Sequence, residues 1–121
     1  MENYNTYIDE QKAKYYKIGA IKCVVLDDVV YFNRHGISHL IRKNGHNRTY
    51  HEQKRRFGLM RFCRLVLESQ DVEIDYRFSK GNKSKAEFWG ITSIINKKKI
   101  RIVVRRVGGG KLLFLSIMDF K

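Results

Sequence analysis

The sequence predicts an α+β fold: helices and a short hairpin first, then a four-stranded antiparallel sheet with the helices packed on one face. Three observations predict it. Before Ser69 the apolar residues recur at helical spacing. From Val72 the period changes to two, with Val72, Ile74, Tyr76 and Phe78 alternating against Glu73, Asp75 and Arg77. Finally, two β-rich runs, "IRIVVRRV" and "LLFLSIM", flank Gly108-Gly109-Gly110, as a hairpin requires. Helices followed by strands on short turns imply an antiparallel sheet with helices segregated to one side.

The elements follow in order. Thr6 is a candidate cap for a helix running to about Ile18, which Gly19 would end. In "AIKCVVLDDVVYF", two β-branched runs flank Asp27-Asp28, which predicts a hairpin. Asn33 offers an N-cap for a helix to about Lys43, and Gly45 a stop. Thr49-Tyr50-His51-Glu52 fits the capping box of a further helix to about Ser69. Its buried stripe would be Leu59, Phe62, Cys63, Val66 and Leu67, with Gly58 weakening or bending it. "SKGNKSK" and "NKKK" read as turns, and "AEFWGITSII" as the strand between them.

The chain has 121 residues, which is the size of one domain, and no proline, repeat or linker divides it. It carries 25 Lys and Arg against 12 Asp and Glu, a net charge of +13. Self-repulsion of that size costs stability, so an anionic partner is expected, nucleic acid first. The apolar runs are too short to span a bilayer, and the polar "MENYNTYIDEQ" is no signal peptide, so a cytoplasmic protein without membrane contact is expected. Cys23 and Cys63 sit in apolar stretches and read as reduced core residues. The charge is uneven. Residues 31–64 hold nine Lys or Arg and one acid, and residues 97–106 hold six and none.

All 4 histidines lie in "FNRHGISHLIRKNGHNRTYH", residues 32–51. At 100° per residue, His35, Ser38, His39, Arg42 and Lys43 share one helix face, opposite Ile37, Leu40 and Ile41. The histidines therefore stand on a polar stripe beside two cations, Arg42 and Lys43. An imidazole titrates near ~6.5, and neighbouring cations favour its neutral, basic form. Three readings compete: a metal held by His35 and His39, a plain basic surface, or a catalytic imidazole beside a phosphate clamp. Carboxylate and cysteine ligands are missing nearby, so no metal or other cofactor is expected. His39 lies best between the cations.

Metal-free RNA cleavage needs only such groups. A base takes the 2′-hydroxyl proton, the oxygen attacks the adjacent phosphorus, a cation stabilises the growing charge, and an acid protonates the leaving 5′-oxygen. The product is a 2′,3′-cyclic phosphate. The closing hairpin offers clamps. Arg101 and Arg105 share a face with Val103, Arg106 falls with Ile102 and Val104, and Ser116 aligns with Phe114 and Met118.

"GISHLIRK", a second helix, and strands ending "IRIVVRRVGGGKLLFLSIMD" resemble the barnase–EndoU–colicin–RelE superfamily, most of all its small phage-type nucleases. The likeness covers residues 29–119, leaving 1–28 as an N-terminal extension of a nuclease-like core. The resemblance implies a metal-independent endoribonuclease, a toxin or phage-defence effector acting on RNA (tRNA or another structured RNA). It also implies an acidic antitoxin or immunity protein as partner. It places the helix histidine at His39, the strand cation at Arg105 or Arg106, and the last-strand hydroxyl at Ser116. Leu113 departs from the pattern, since a polar or aromatic site residue is expected there, and His35 or Lys111 is left for the acid. Arg34, Arg42, Lys43, Arg101 and Lys111 would bind the substrate. The rival expectation is a non-catalytic basic nucleic-acid-binding module of the same fold, with Tyr31, Phe32 and Trp89 stacking bases. A third is an adaptor for an acidic protein.

Overall fold

The computed structural model describes residues 3–80 and 85–120. Helix α1 spans Tyr4–Ile18 and is capped by Asn3, not Thr6: the Asn3 side chain accepts from the Thr6 amide at 2.8 Å. Gly19, at φ 68°, ends it. Strands β1 (Ala20–Cys23) and β2 (Asp28–Tyr31) form the expected hairpin. Helix α2 spans Arg34–Ile41, with the Asn33 side chain accepting from the His35 amide at 3.0 Å.

Helix α2 stops short of the expected Lys43. Asn44 and Gly45 both take positive φ, 53° and 80°, as a tight hairpin turn demands. Arg42–Lys43 (β3) and His46–Asn47 (β4) therefore form a two-stranded ribbon. Arg42 and Lys43 leave the helix face to which the periodicity assigns them. Local turn chemistry outweighs a helical pattern with less than one more turn to run.

Helix α3 (Tyr50–Leu59) begins at the predicted capping box, with Thr49 Oγ1 accepting from the Glu52 amide. It does not continue unbroken to Ser69. A 3₁₀ turn over Met60–Phe62 separates it from α4, Cys63–Leu67. The predicted stripe is nonetheless inward: Leu59, Cys63, Val66 and Leu67 are buried.

Strands β5 (Glu73–Lys80), β6 (Lys85–Ile95), β7 (Lys98–Val107) and β8 (Leu112–Phe120) run antiparallel in sequence order. They are only part of the sheet. β2 pairs with β8 in parallel, giving one mixed six-stranded sheet in the order β1-β2-β8-β7-β6-β5. The expectation of a four-stranded antiparallel sheet is corrected on this point; the α+β class stands. The turn predicted over "SKGNKSK" lies mostly outside the described residues. Asn96 and Lys97 make the β6–β7 turn, both at positive φ.

One face of the sheet is covered. Ile91, Ile100, Ile102, Val104, Leu112, Phe114 and Ile117 are buried there against Leu40, Phe57, Val66 and Leu67. The N-terminal segment contributes Ile8, Tyr15, Ile21 and Cys23 to the same cluster. Phe32 stacks on Phe114 (centroids 4.8 Å apart), and the Tyr15 ring meets both. The Tyr15 hydroxyl donates to the Asn33 carbonyl at 2.6 Å, tying α1 to the start of α2.

A bulge in β8 overturns one expectation. Strict alternation puts Ser116 on the side of Phe114. The β7–β8 register slips between Val103 and Val104, so Phe114 pairs with Val104 and Ser116 with Val103. Phe114 and Ile117 both point into the core, and Ser116 faces the other way.

Candidate nucleic-acid interface

The uncovered face is set by the register. Tyr31 pairs with Leu113, Leu113 with Arg105, Arg105 with Phe88, and Phe88 with Arg77. Paired residues point to the same side of a sheet. A row of Tyr31, Leu113, Arg105, Phe88 and Arg77 thus crosses the open face from β2 to β5. The Arg77 and Arg105 guanidinium groups lie 4.9 and 5.9 Å from the Phe88 ring centre. Lys111 covers the Tyr31 ring at 4.7 Å. The next row carries Ser116, Val103, Gly90 and Asp75.

The arginines of this region differ in what already holds them. Arg101 lies across Gly90 and forms a two-toothed ion pair with Asp75, its Nη2 donating to Oδ1 at 3.0 Å. A Cβ at position 90 would sit 2.3 Å from the Arg101 guanidinium carbon, so a larger residue there would push the arginine aside. This partnership holds the Asp75 carboxyl below the usual carboxylate range. Arg106 falls on the opposite, helix-side face. It donates to Glu87 at 3.2 Å and stacks over Trp89 at 5.1 Å. Arg105 has no carboxylate partner among the described residues, and its Nε is buried without a hydrogen-bond acceptor. A buried, unsatisfied cationic donor is costly and calls for an explanation.

Helix α2 carries the histidine alongside β8. Gly36 packs directly on Phe114, so α2 lies against β8 where β2 no longer pairs with it. His39 is exposed one turn further along. Its pKa is lowered by partial burial first, then by the charges of Arg48, Arg105 and His35. Arg105, distant in sequence, is therefore within electrostatic reach of the imidazole. Arg48 is held beside it, with Nε donating to the His39 carbonyl at 3.0 Å. The buried Gln53 supports that arrangement: it donates to the Arg48 carbonyl at 2.8 Å and accepts from Tyr4 at 2.8 Å.

His39 lies within electrostatic reach of His35 and Arg105, and Ser116 shares the open face with Arg105. His35 and Arg34 are exposed on α2. Arg42 lies on the ribbon and donates to the Gly45 carbonyl at 2.7 Å, with Lys43 exposed beside it. Of the expected stacking residues, Phe32 is 5% exposed and belongs to the core, whereas Tyr31 is 37% exposed. The sequence by itself assigns no role to Arg48, Phe88 or Arg77. Their only signals there are the basic run and an aromatic strand, and their position depends on the sheet register.

A cleft of about 540 Å³ lies elsewhere, between α1 and α3–α4. Tyr7, Tyr15, Ile18, Phe57 and Cys63 line it, and it shares no residue with the His39 group. Burial pushes the Cys63 thiol up to about 12, so that cleft holds no reactive sulfur. Among the described residues no group of three or more His, Cys, Asp and Glu side chains could hold a metal ion. No helix among them is long and apolar enough to cross a membrane. Comparison of the chain with models of protein families, with curated proteins and with solved structures found no match.

Proposed function

We propose that the open face of the sheet binds RNA and that His39 and Arg105 cleave it without a metal, as the resemblance to the barnase–EndoU–colicin–RelE superfamily implies. The observation that carries this reading is Arg105, a partly buried guanidinium with an orphaned donor and no carboxylate among the described residues, within electrostatic reach of a histidine whose pKa is lowered. A bound phosphate would pair with the outer guanidinium nitrogens of Arg105, which no carboxylate holds among the described residues. In this scheme neutral His39 takes the proton of the 2′-hydroxyl. The freed oxygen attacks phosphorus, the bond to the 5′-oxygen breaks, and Arg105 stabilises the charge on the phosphoryl oxygens. The leaving oxygen takes its proton from an acid, for which His35, one helical turn away, is the nearest candidate. Ser116 would contact the phosphate, and Phe88, Tyr31 and Arg77 would carry flanking bases and phosphates.

The second reading, binding without cleavage, is favoured by the cation-flanked Phe88 ring and the Lys111-covered Tyr31 ring. Incubating the protein with total RNA in EDTA and mapping the ends separates them. Cleavage is expected to leave 2′,3′-cyclic phosphates and to fall about 10²–10³-fold in Arg105→Gln and at least as far in His39→Ala. Retention of RNA with no new ends would leave the binding module. An acidic neutralising partner would fit the +13 surface, and its test is rescue of cells expressing the active chain.

A further inference from the structure

Strand β5 ends the sheet on one side and is exposed at every residue from Glu73 to Lys80. It contains no proline, and its register with β6 runs without a bulge. Its apolar side chains share the covered side's orientation, opposite Ile91, Trp89 and Glu87. Ile74, Tyr76 and Phe78 are 45%, 52% and 49% exposed. The other edge, β1, has only 4 residues and carries Lys22. Long, flat, apolar edges are normally blunted by charge, proline or a bulge, because they invite another strand. On its apolar side β5 has neither proline nor bulge, and its one charge there, Lys80, stands at the end of the strand beyond the Ile74–Phe78 stretch.

The sequence of β5 is complementary to itself. In an antiparallel pair of identical strands related by a two-fold axis normal to the sheet, opposed residues point to the same side. Centring the pair on Tyr76 sets Ile74 opposite Phe78 of the second copy and Tyr76 opposite its equivalent. On the open side, Asp75 then faces Arg77 of the second copy, and Glu73 faces Ser79. Centring on Asp75 or on Arg77 sets like charges directly opposite each other, and centring on Ile74 sets Glu73 against Asp75. Of these registers, the one on Tyr76 alone matches apolar with apolar and acid with base on the two sides together. Asp75 already holds Arg101 of its own chain, so a second guanidinium would complete an alternating charge row.

From this we infer that two copies of the chain join edge to edge through β5, in the register centred on Tyr76, forming one continuous sheet with both open faces on the same side. The contact uses the same patch on both copies and closes at a dimer. It is independent of whether the open face cleaves RNA.

Sedimentation equilibrium tests it, from about 1 to about 100 µM chain and in about 0.3 M salt to screen the net charge. The mass is expected to rise from 14.4 kDa towards twice that value. Asp75→Arg and Arg77→Asp should each be monomeric alone, and their equimolar mixture should dimerise, because each introduced charge then meets its opposite. Circular dichroism checks folding. Should Asp75→Arg misfold for want of the Arg101 partner, cross-linking carries the test. Under oxidation Tyr76→Cys should link to itself, and Ile74→Cys should link to Phe78→Cys but not to itself. A wild-type chain that stays at 14.4 kDa throughout, or that gains mass only with RNA bound, overturns the inference. So does a dimer that Arg77→Asp leaves intact.

Discussion

Gly36 should be the position where a single methyl group does most damage to the candidate site. An added Cβ would lie 2.2 Å from the Tyr15 hydroxyl, 2.6 Å from Phe114 Cδ1 and 2.8 Å from the Phe114 carbonyl oxygen. The last is backbone of a paired strand and cannot swing aside, so α2 must lift off β8. Overpacking of this kind costs about 1–3 kcal/mol. Displacing the Tyr15 hydroxyl from the Asn33 carbonyl adds about 1 kcal/mol. The better helix propensity of alanine returns about 1 kcal/mol. Gly36→Ala should therefore lose about 2 kcal/mol, a fall in Tm of about 8 °C for a chain of this size. Gly58→Ala is the internal control. Gly58 lies in α3, and a methyl group added there would have no heavy atom within 4 Å, so only propensity acts and stability should rise by up to about 1 kcal/mol. Urea and thermal denaturation of the two variants measure both. Equal stability of Gly36→Ala and wild type, or a shift of the same sign in both variants, would refute the close approach of α2 to β8.

Other predictions concern charge and reactivity. His39 should titrate below an ordinary histidine, and Arg105→Gln should move it upward; the imidazole proton shifts in an NMR titration report this. Because its folded pKa is depressed, His39 costs the fold nothing above the unfolded value near ~6.5, and stability is lost as pH falls below it. His39→Gln should remove that part of the loss. Burial raises the Glu52 carboxyl, but hydrogen bonds from Arg56 and Arg55 outweigh it, and Arg101 likewise lowers Asp75. Their contributions are present above about pH 4.5 and vanish as pH falls through the lowered values, so Asp75→Asn should flatten acid unfolding below that pH. Cys23 and Cys63 are buried, with burial raising both thiols, so neither should react with a thiol reagent until the chain unfolds in denaturant.

By itself the sequence determined what depends on near neighbours. Asn33 and Thr49 announce their helices because a cap needs only a side-chain oxygen close to free amides, and Gly19 announces a stop. The alternation of β5 and β7 assigns Arg105 and Arg106 to opposite faces, and the structure keeps them there. Where a pattern met a competing turn, as at Asn44-Gly45, the turn prevailed and removed Arg42 and Lys43 from the helix. Tertiary structure decided everything that needs distant partners. The parallel pairing of β2 with β8 enlarges the sheet, and the β8 bulge turns Ser116 to the open face. Pairing across strands commits Arg101 to Asp75 and Arg106 to Glu87, leaving Arg105 free of carboxylates among the described residues and near His39. No local rule distinguishes these arginines. Their difference lies in which carboxylate the sheet brings within reach of each one: Glu87 directly opposite Arg106, and Asp75 diagonally across Gly90 from Arg101.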